Sequence, residues 1–324
     1  MIFKNIDFHN VDHLEKVDGA YRMARVSESL KEVKDRVFYN CTGVELRFKM
    51  KSETVKIILK KATDSDIEAC VAEIVFGSLP GGWTHSSKVI YPHDTVITIN
   101  KPDMEKLYSV HKEHNLPFNP DVVRILLPYG AINFVDVIGD IEPPSKSDYP
   151  SKTGLFYGSS ITHGSLSIDP LHSYVYQVSE RLGTDYFNLG YAGSAFLEKE
   201  MAEYIVSRKD WDFAFLELGI NMAQNFDADI FDERCKVFLD IISKDERTIF
   251  CTSIYTCIDQ TPEKLEEFRQ TVRKYCKGHI IFKEGSEIMT STKGLSADFV
   301  HPNVMGVYEI TNNLTDFIKD NLIF

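Results

Sequence analysis

The run Gly154-Leu155-Phe156-Tyr157-Gly158-Ser159-Ser160-Ile161-Thr162-His163-Gly164 joins a short apolar stretch to a turn of small and hydroxylated residues. A helical pattern starts shortly after it. Such a sequence presents a side chain at the C-terminal end of a buried strand, where open α/β sheets bind their ligands. Ser160 is therefore the candidate nucleophile. A plainer reading is also open, because Gly-Ser-Ser turns often serve only to cap a helix. A phosphate-binding loop is not supported, since His163 and Gly164 stand where its Lys-Ser/Thr pair would be. Catalysis at Ser160 thus requires partners elsewhere in the chain.

Around this run, strands alternate with helices. Strand-like segments are Leu155–Tyr157, Tyr186–Leu189, the nearly continuous apolar run Phe213–Leu218, Thr248–Thr252 and Ile280–Phe282. Between them, helical periodicity covers Ser173–Leu182, closed by Gly183, then Lys199–Ser207, Phe231–Ser243 and Pro262–Cys276, with Val307–Leu322 last. This alternation predicts a doubly wound parallel sheet.

The first half has a different period. Val44, Leu46, Phe48 and Met50 alternate with Glu45, Arg47 and Lys49, which predicts a strand with one buried face. Val55, Ile57 and Leu59 share one side of a second strand. Ala69–Phe76, Thr95–Asn100, Val122–Pro128 and Ile132–Ile138 follow, with turns such as Leu79-Pro80-Gly81-Gly82 between them. Many short strands predict a β-sandwich, which either binds carbohydrate, shapes a substrate site or simply buttresses its neighbour. Trp83 is a candidate to stack on a sugar or close over a site. His111 and His114 lack the His-Glu-x-x-His arrangement of a zinc site. The segment Glu142–Pro150 has linker composition and divides the chain into residues 1–148 and 149–324.

Partners for Ser160 lie at the strand ends. Asn221, after the run ending in Gly219-Ile220, can donate to developing negative charge. Gly193, in the turn after Tyr186–Leu189, lets a backbone N–H approach a substrate oxygen. Asp298 precedes His301 by three residues, a spacing that can place the carboxylate on one imidazole nitrogen and leave the other for Ser160.

With these stations in place, the chain resembles the SGNH, or GDSL-type, serine hydrolases. Gly158-Ser159-Ser160-Ile161-Thr162 is similar to the family's first block, Gly193 to its second-block glycine, Gly219 and Asn221 to its third-block Gly-x-Asn, and Asp298 and His301 to its last block. The resemblance implies a flavodoxin-like three-layer α/β domain and an oxyanion hole from the Ser160 and Gly193 N–H groups and the Asn221 side chain. Ser159 departs from the familiar Asp, which implies altered hydrogen bonding in the turn. A jelly-roll-like β-sandwich ahead of the hydrolase domain is similar to two-domain carbohydrate esterases. The expected activity is hydrolysis of O-acyl esters, O-acetyl groups on a small-molecule or oligosaccharide carbohydrate being favoured, with no metal or cofactor. The competing readings are an inactive carbohydrate-binding protein and a lipase or thioesterase with longer acyl preference.

Composition sets outer limits. A net charge of −12 argues against general binding to nucleic acid or anionic membranes, which requires clustered cations. The polar N-terminus contains no signal-peptide core, and no segment offers the roughly twenty apolar residues of a membrane span. A cytoplasmic location is expected, and a homo-oligomer is compatible with the sequence. The six cysteines are scattered, as expected of free buried thiols.

Overall fold

The computed structural model describes residues 1–34, 37–65, 67, 70–167 and 169–322. In the second half, apolar runs form five strands: β1 (Thr153–Gly158), β2 (Asp185–Gly190), β3 (Phe213–Glu217), β4 (Thr248–Thr252) and β5 (Ile280–Lys283). They pair in parallel in the order β2-β1-β3-β4-β5. Between and after them lie α1 (Ser160–His163), α2 (Tyr174–Leu182), α3 (Lys199–Ser207), α4 (Ile220–Asn225), α5 (Ala228–Ile242), α6 (Pro262–Tyr275), α7 (Gly285–Ile288) and α8 (Val304–Asn321). Helices α2 and α8 cover one face through Val175, Val178, Ile310 and Leu314. Helices α3, α5 and α6 cover the other through Ile205, Phe238 and Phe268. This is the flavodoxin-like three-layer architecture, whose strand order reverses between β1 and β3. Ser160 follows β1 and Asn221 follows β3, so both stand at that switch point.

The first half holds two antiparallel sheets. One runs in the order Ile2–Phe3, Ile6–His9, Glu45–Met50, Val122–Leu126, Val71–Phe76, Leu79–Pro80; the other runs Thr95–Asn100, Thr54–Lys61, Ile132–Ile138, Ala20–Ala24, His13–Val17. Phe8, Leu46, Phe48 and Ile74 of the first meet Val55, Ile57, Ile97 and Phe134 of the second in one core. Ala69, the first residue of one expected strand, lies outside the described residues. The polar segment with His111 and His114 forms a helix, Met104–His114, started by the Asp103 side chain accepting from Lys106 N–H. The closing helix begins at Val304, three residues before its apolar pattern, because Asn303 Oδ1 accepts from the Met305 and Gly306 N–H groups.

One expectation needs correction. The polar side of the strand Glu45–Met50 does not face water: Glu45 and Arg47 are both fully buried. That side lies against the parallel-sheet half, where Arg47 donates to both Asp185 carboxylate oxygens at 2.7 Å. Arg124 holds Glu45 through two bonds and reaches Glu180 of α2 at 2.8 Å. Burial opposes charge on Glu45, yet Arg124 and then Arg47 keep its carboxyl well below the usual range. Alternation in the sequence reported the pleat correctly, but charge alone did not reveal that both faces were covered.

A second contact joins the halves. Strand β2 is an edge of the parallel sheet, and its outward carbonyls are covered by side-chain donors. His9 Nε2 donates to Tyr186 O at 2.5 Å, Asn10 Nδ2 and Arg25 Nη1 to Asn188 O at 3.0 and 2.9 Å, and Arg25 Nη2 to Gly190 O at 3.0 Å. The sandwich thereby supplies, from side chains, the bonds a neighbouring strand would make.

Candidate active site

The turn that carries Ser160 is built by β1 ending against α1. Ser159 caps α1, its Oγ accepting from Ile161 N–H at 3.2 Å. Ser160 is the first helical residue, where a backbone N–H has no intrahelical partner. Its Oγ lies 2.7 Å from His301 Nε2, and His301 Nδ1 lies 2.7 Å from Asp298 Oδ2. Asp298 Oδ1 also accepts the N–H groups of Val300 and His301 at 3.0 and 2.9 Å. Desolvation works against the Asp298 charge, but those two N–H groups and the imidazole prevail and hold its carboxyl below its ordinary value. Asp298 nonetheless remains open to solvent, its side chain 44% exposed.

Asn221 and Gly193 complete the cluster. Both line one cavity of about 260 Å³ with Ser160 and His301. Asn221 Oδ1 accepts from Ala195 N–H at 3.2 Å, which leaves the amide nitrogen as the donor end. Gly193 has φ +67°, in the left-handed region that glycine adopts at no steric cost. Among the described residues, neither the Ser160 nor the Gly193 N–H donates a hydrogen bond. The residues that carry these three donors all line the cavity that holds the Ser160 hydroxyl.

The sandwich half contributes to the same cavity: Val37, Asn40, Ile67 and Tyr129 form part of its wall. Trp83 does not, being 97% exposed and away from that lining. Among the described residues, no group of three or more His, Cys, Asp or Glu side chains could hold a metal ion. No helix among them is long and apolar enough to cross a membrane.

Residues beyond the sequence motifs support the site. Glu217, at the end of β3, is fully buried under the turn that carries Ser160, and its Oε2 accepts from Ser159 N–H, Ser159 Oγ and Thr162 Oγ1 at 2.7, 2.7 and 3.0 Å. Burial pushes its pKa up to about 7 against those bonds. Its signal was visible as a single acid within an apolar strand. His163 is buried at the end of α1, with its ring stacked 4.1 Å from Tyr129 and its Nδ1 accepting from Ala192 N–H at 3.0 Å.

The whole arrangement has relatives in fold. A salicylyl-acyltransferase from a tetracycline biosynthetic pathway superposes with a TM-score of 0.78 at 14% identity, covering 98% of this chain and 95% of its own. A candidate GDSL-like lipase from Bacteroides ovatus gives 0.65 at 17%, covering 92% and 91%. A family two carbohydrate esterase from Clostridium thermocellum, in complex with cellohexaose, gives 0.59 at 14%, covering 86% and 91%. No curated protein matches the sequence. The sequence profile of the GDSL-like lipase/acylhydrolase family matches residues 151–319, just over half the chain and the part that carries β1 through α8. The chain belongs to the GDSL-like lipase/acylhydrolase family and is a carboxylic ester hydrolase.

Proposed function

We propose that the chain hydrolyses O-acyl esters through an acyl-enzyme on Ser160, and that its substrate is a short O-acyl group, O-acetyl above all, on a carbohydrate. The observation that carries the mechanism is the unbroken sequence Asp298–His301–Ser160, with both contacts at 2.7 Å, opening onto the cavity that Gly193 and Asn221 also line. Neutral His301 takes the Ser160 proton at Nε2 as Oγ attacks the ester carbonyl carbon. Asp298 stabilises the imidazolium through Nδ1–H. The tetrahedral oxyanion receives the Ser160 and Gly193 N–H groups and the Asn221 amide. The imidazolium then protonates the departing alkoxide, and a water activated by His301 releases the acid and restores Ser160.

Support for a small acyl group comes from the cavity, about 260 Å³ and edged by the small residues Ala192 and Gly193. Asn40, Tyr129, Ser165 and Gln224 offer hydrogen-bonding groups suited to a polyol leaving group. The similar fold of the carbohydrate esterase adds to this reading. Residues 1–148 would then act as a substrate-shaping unit attached to the hydrolase unit 149–324.

A second reading, a longer or aromatic acyl group, is favoured by an apolar cavity of about 130 Å³ lined by Leu166, Val304, Val307 and Tyr308 near the His301 loop. An acetate-release screen over acetylated sugars, run beside an acetyl-to-octanoyl reporter series, tests both. The proposal expects fastest turnover of acetyl esters and its complete loss in Ser160→Ala. Preference for octanoate would favour the second reading, and full activity of Ser160→Ala would remove the mechanism.

A further inference from the structure

The turn that carries Gly193 is held by residues outside the family's four blocks. Strand β2 delivers the chain at Gly190, whose carbonyl accepts from Arg25 Nη2 at 3.0 Å. The Arg25 guanidinium also lies 4.6 Å from the Tyr191 ring centroid. Two residues on, Ala192 N–H donates to His163 Nδ1 at 3.0 Å. Gly190 packs so closely on the His163 backbone that a Cβ there would overlap it. Arg25 comes from the sandwich half and His163 from the helix that begins with Ser160.

We propose that Arg25 and His163 are positioning residues, which grip the Gly190–Ala192 segment from two sides and so keep the Gly193 N–H at the Ser160 hydroxyl. The inference rests on the acyl-enzyme reading above. A donor that must meet a developing oxyanion is useful only if it is placed before the charge appears. Gly193 cannot fix itself, since a left-handed glycine is the least constrained residue in the turn. Both grips are buried, with Arg25 and His163 almost wholly out of water. Burial, and then the nearby Arg25 cation, push the His163 pKa well below the ordinary imidazole range, and the Ala192 N–H directed at Nδ1 makes that nitrogen the acceptor of the neutral ring. On this account the sandwich half has a part in catalysis beyond its share of the cavity wall, because one of the two grips is its Arg25.

The test uses the full chain. His163→Leu removes the acceptor while keeping an apolar volume; His163→Asn keeps an acceptor close to Nδ1. The Leu variant should lose about 10- to 100-fold in kcat on an acetyl reporter with KM within about threefold, and the Asn variant should recover most of it. Arg25→Ala should show the same split and regain activity in low-millimolar guanidinium. Hydrogen exchange of residues 190–195, read on the same proteins, should rise in His163→Leu and Arg25→Ala but not in His163→Asn. Unchanged exchange there, or an Asn variant as impaired as the Leu variant, overturns the proposal. A wild-type chain that neither turns over esters nor reacts with a fluorophosphonate sinks the acyl-enzyme reading instead, and the exchange measurement still decides whether the grip exists.

Discussion

Ser159 donates both its backbone N–H and its Oγ–H to one oxygen of Glu217, each at 2.7 Å. The familiar form of this motif has Asp at position 159. Here the neighbouring strand already provides a carboxyl group, and Ser159 meets it as a donor. The departure from the motif is thus a complementary pairing beneath Ser160.

Ser159→Asp would place two carboxyls in one buried site, where like charges force them to share a proton. Activity of this variant should fall about tenfold or more between pH 6 and 8, a range over which the wild type varies less. Adding Glu217→Gln should restore a flat profile. Matching pH–rate curves for wild type and Ser159→Asp would disprove the shared-proton account.

Glu217 also predicts a pH dependence of folding. Its folded-state pKa, about 7, lies above the ordinary value of 4.5. Between these values the folded chain holds a proton that the unfolded chain has lost, so stability falls as pH rises and levels off above about 7. Relative to Glu217→Gln, the wild type should lose on the order of 3 kcal/mol between pH 4.5 and 7. Urea unfolding of both proteins across that range measures the difference.

Asn221→Ala removes one donor of the proposed oxyanion hole and should lower kcat by about a hundredfold or more with little change in KM. Some activity should survive, since two backbone donors remain. An equal loss of reporter binding and turnover would assign Asn221 to substrate binding.

Asp298 and His301 should differ in importance. The carboxylate is half open to solvent, where its bond to the imidazole is weakened. Asp298→Asn should lose about ten- to a hundredfold in kcat/KM, and His301→Ala about a thousandfold or more. Equal losses would show that the carboxylate is indispensable.

Arg47→Met would leave Asp185 buried beside an unfilled site and should cost about 3–5 kcal/mol of folding free energy. Calorimetry or urea unfolding reads this directly.

The parallel sheet was legible because its central strands are almost wholly buried and read as nearly continuous apolar runs, as in Phe213–Leu218, where Glu217 is the one charged residue. The gathering of Ser160, Gly193, Asn221 and Asp298–His301 was legible because the strand ends and the loops after them meet at one edge of such a sheet. The hairpin His13–Val17/Ala20–Ala24 had a local signal in Asp18-Gly19, both at positive φ, but its strands are too short and polar for alternation to stand out. Arg25, His163 and Glu217 act through backbone groups or through one another across tens of residues. A linear pattern carries no trace of such pairings, except for the acid set into an apolar strand.

The row of carbonyls on β2 has a consequence for how this protein can be taken apart. Cut free at residue 149, the hydrolase half would keep every residue of the four motifs, yet expose Tyr186, Asn188 and Gly190 as an open ribbon edge. Such an edge recruits strands from other copies. The severed fragment should therefore self-associate, and its silence in an assay would reflect the lost seam and cavity wall together, not the loss of a sugar-binding module alone. The two halves differ in architecture, and the side-chain donors along β2 are part of what ties them together.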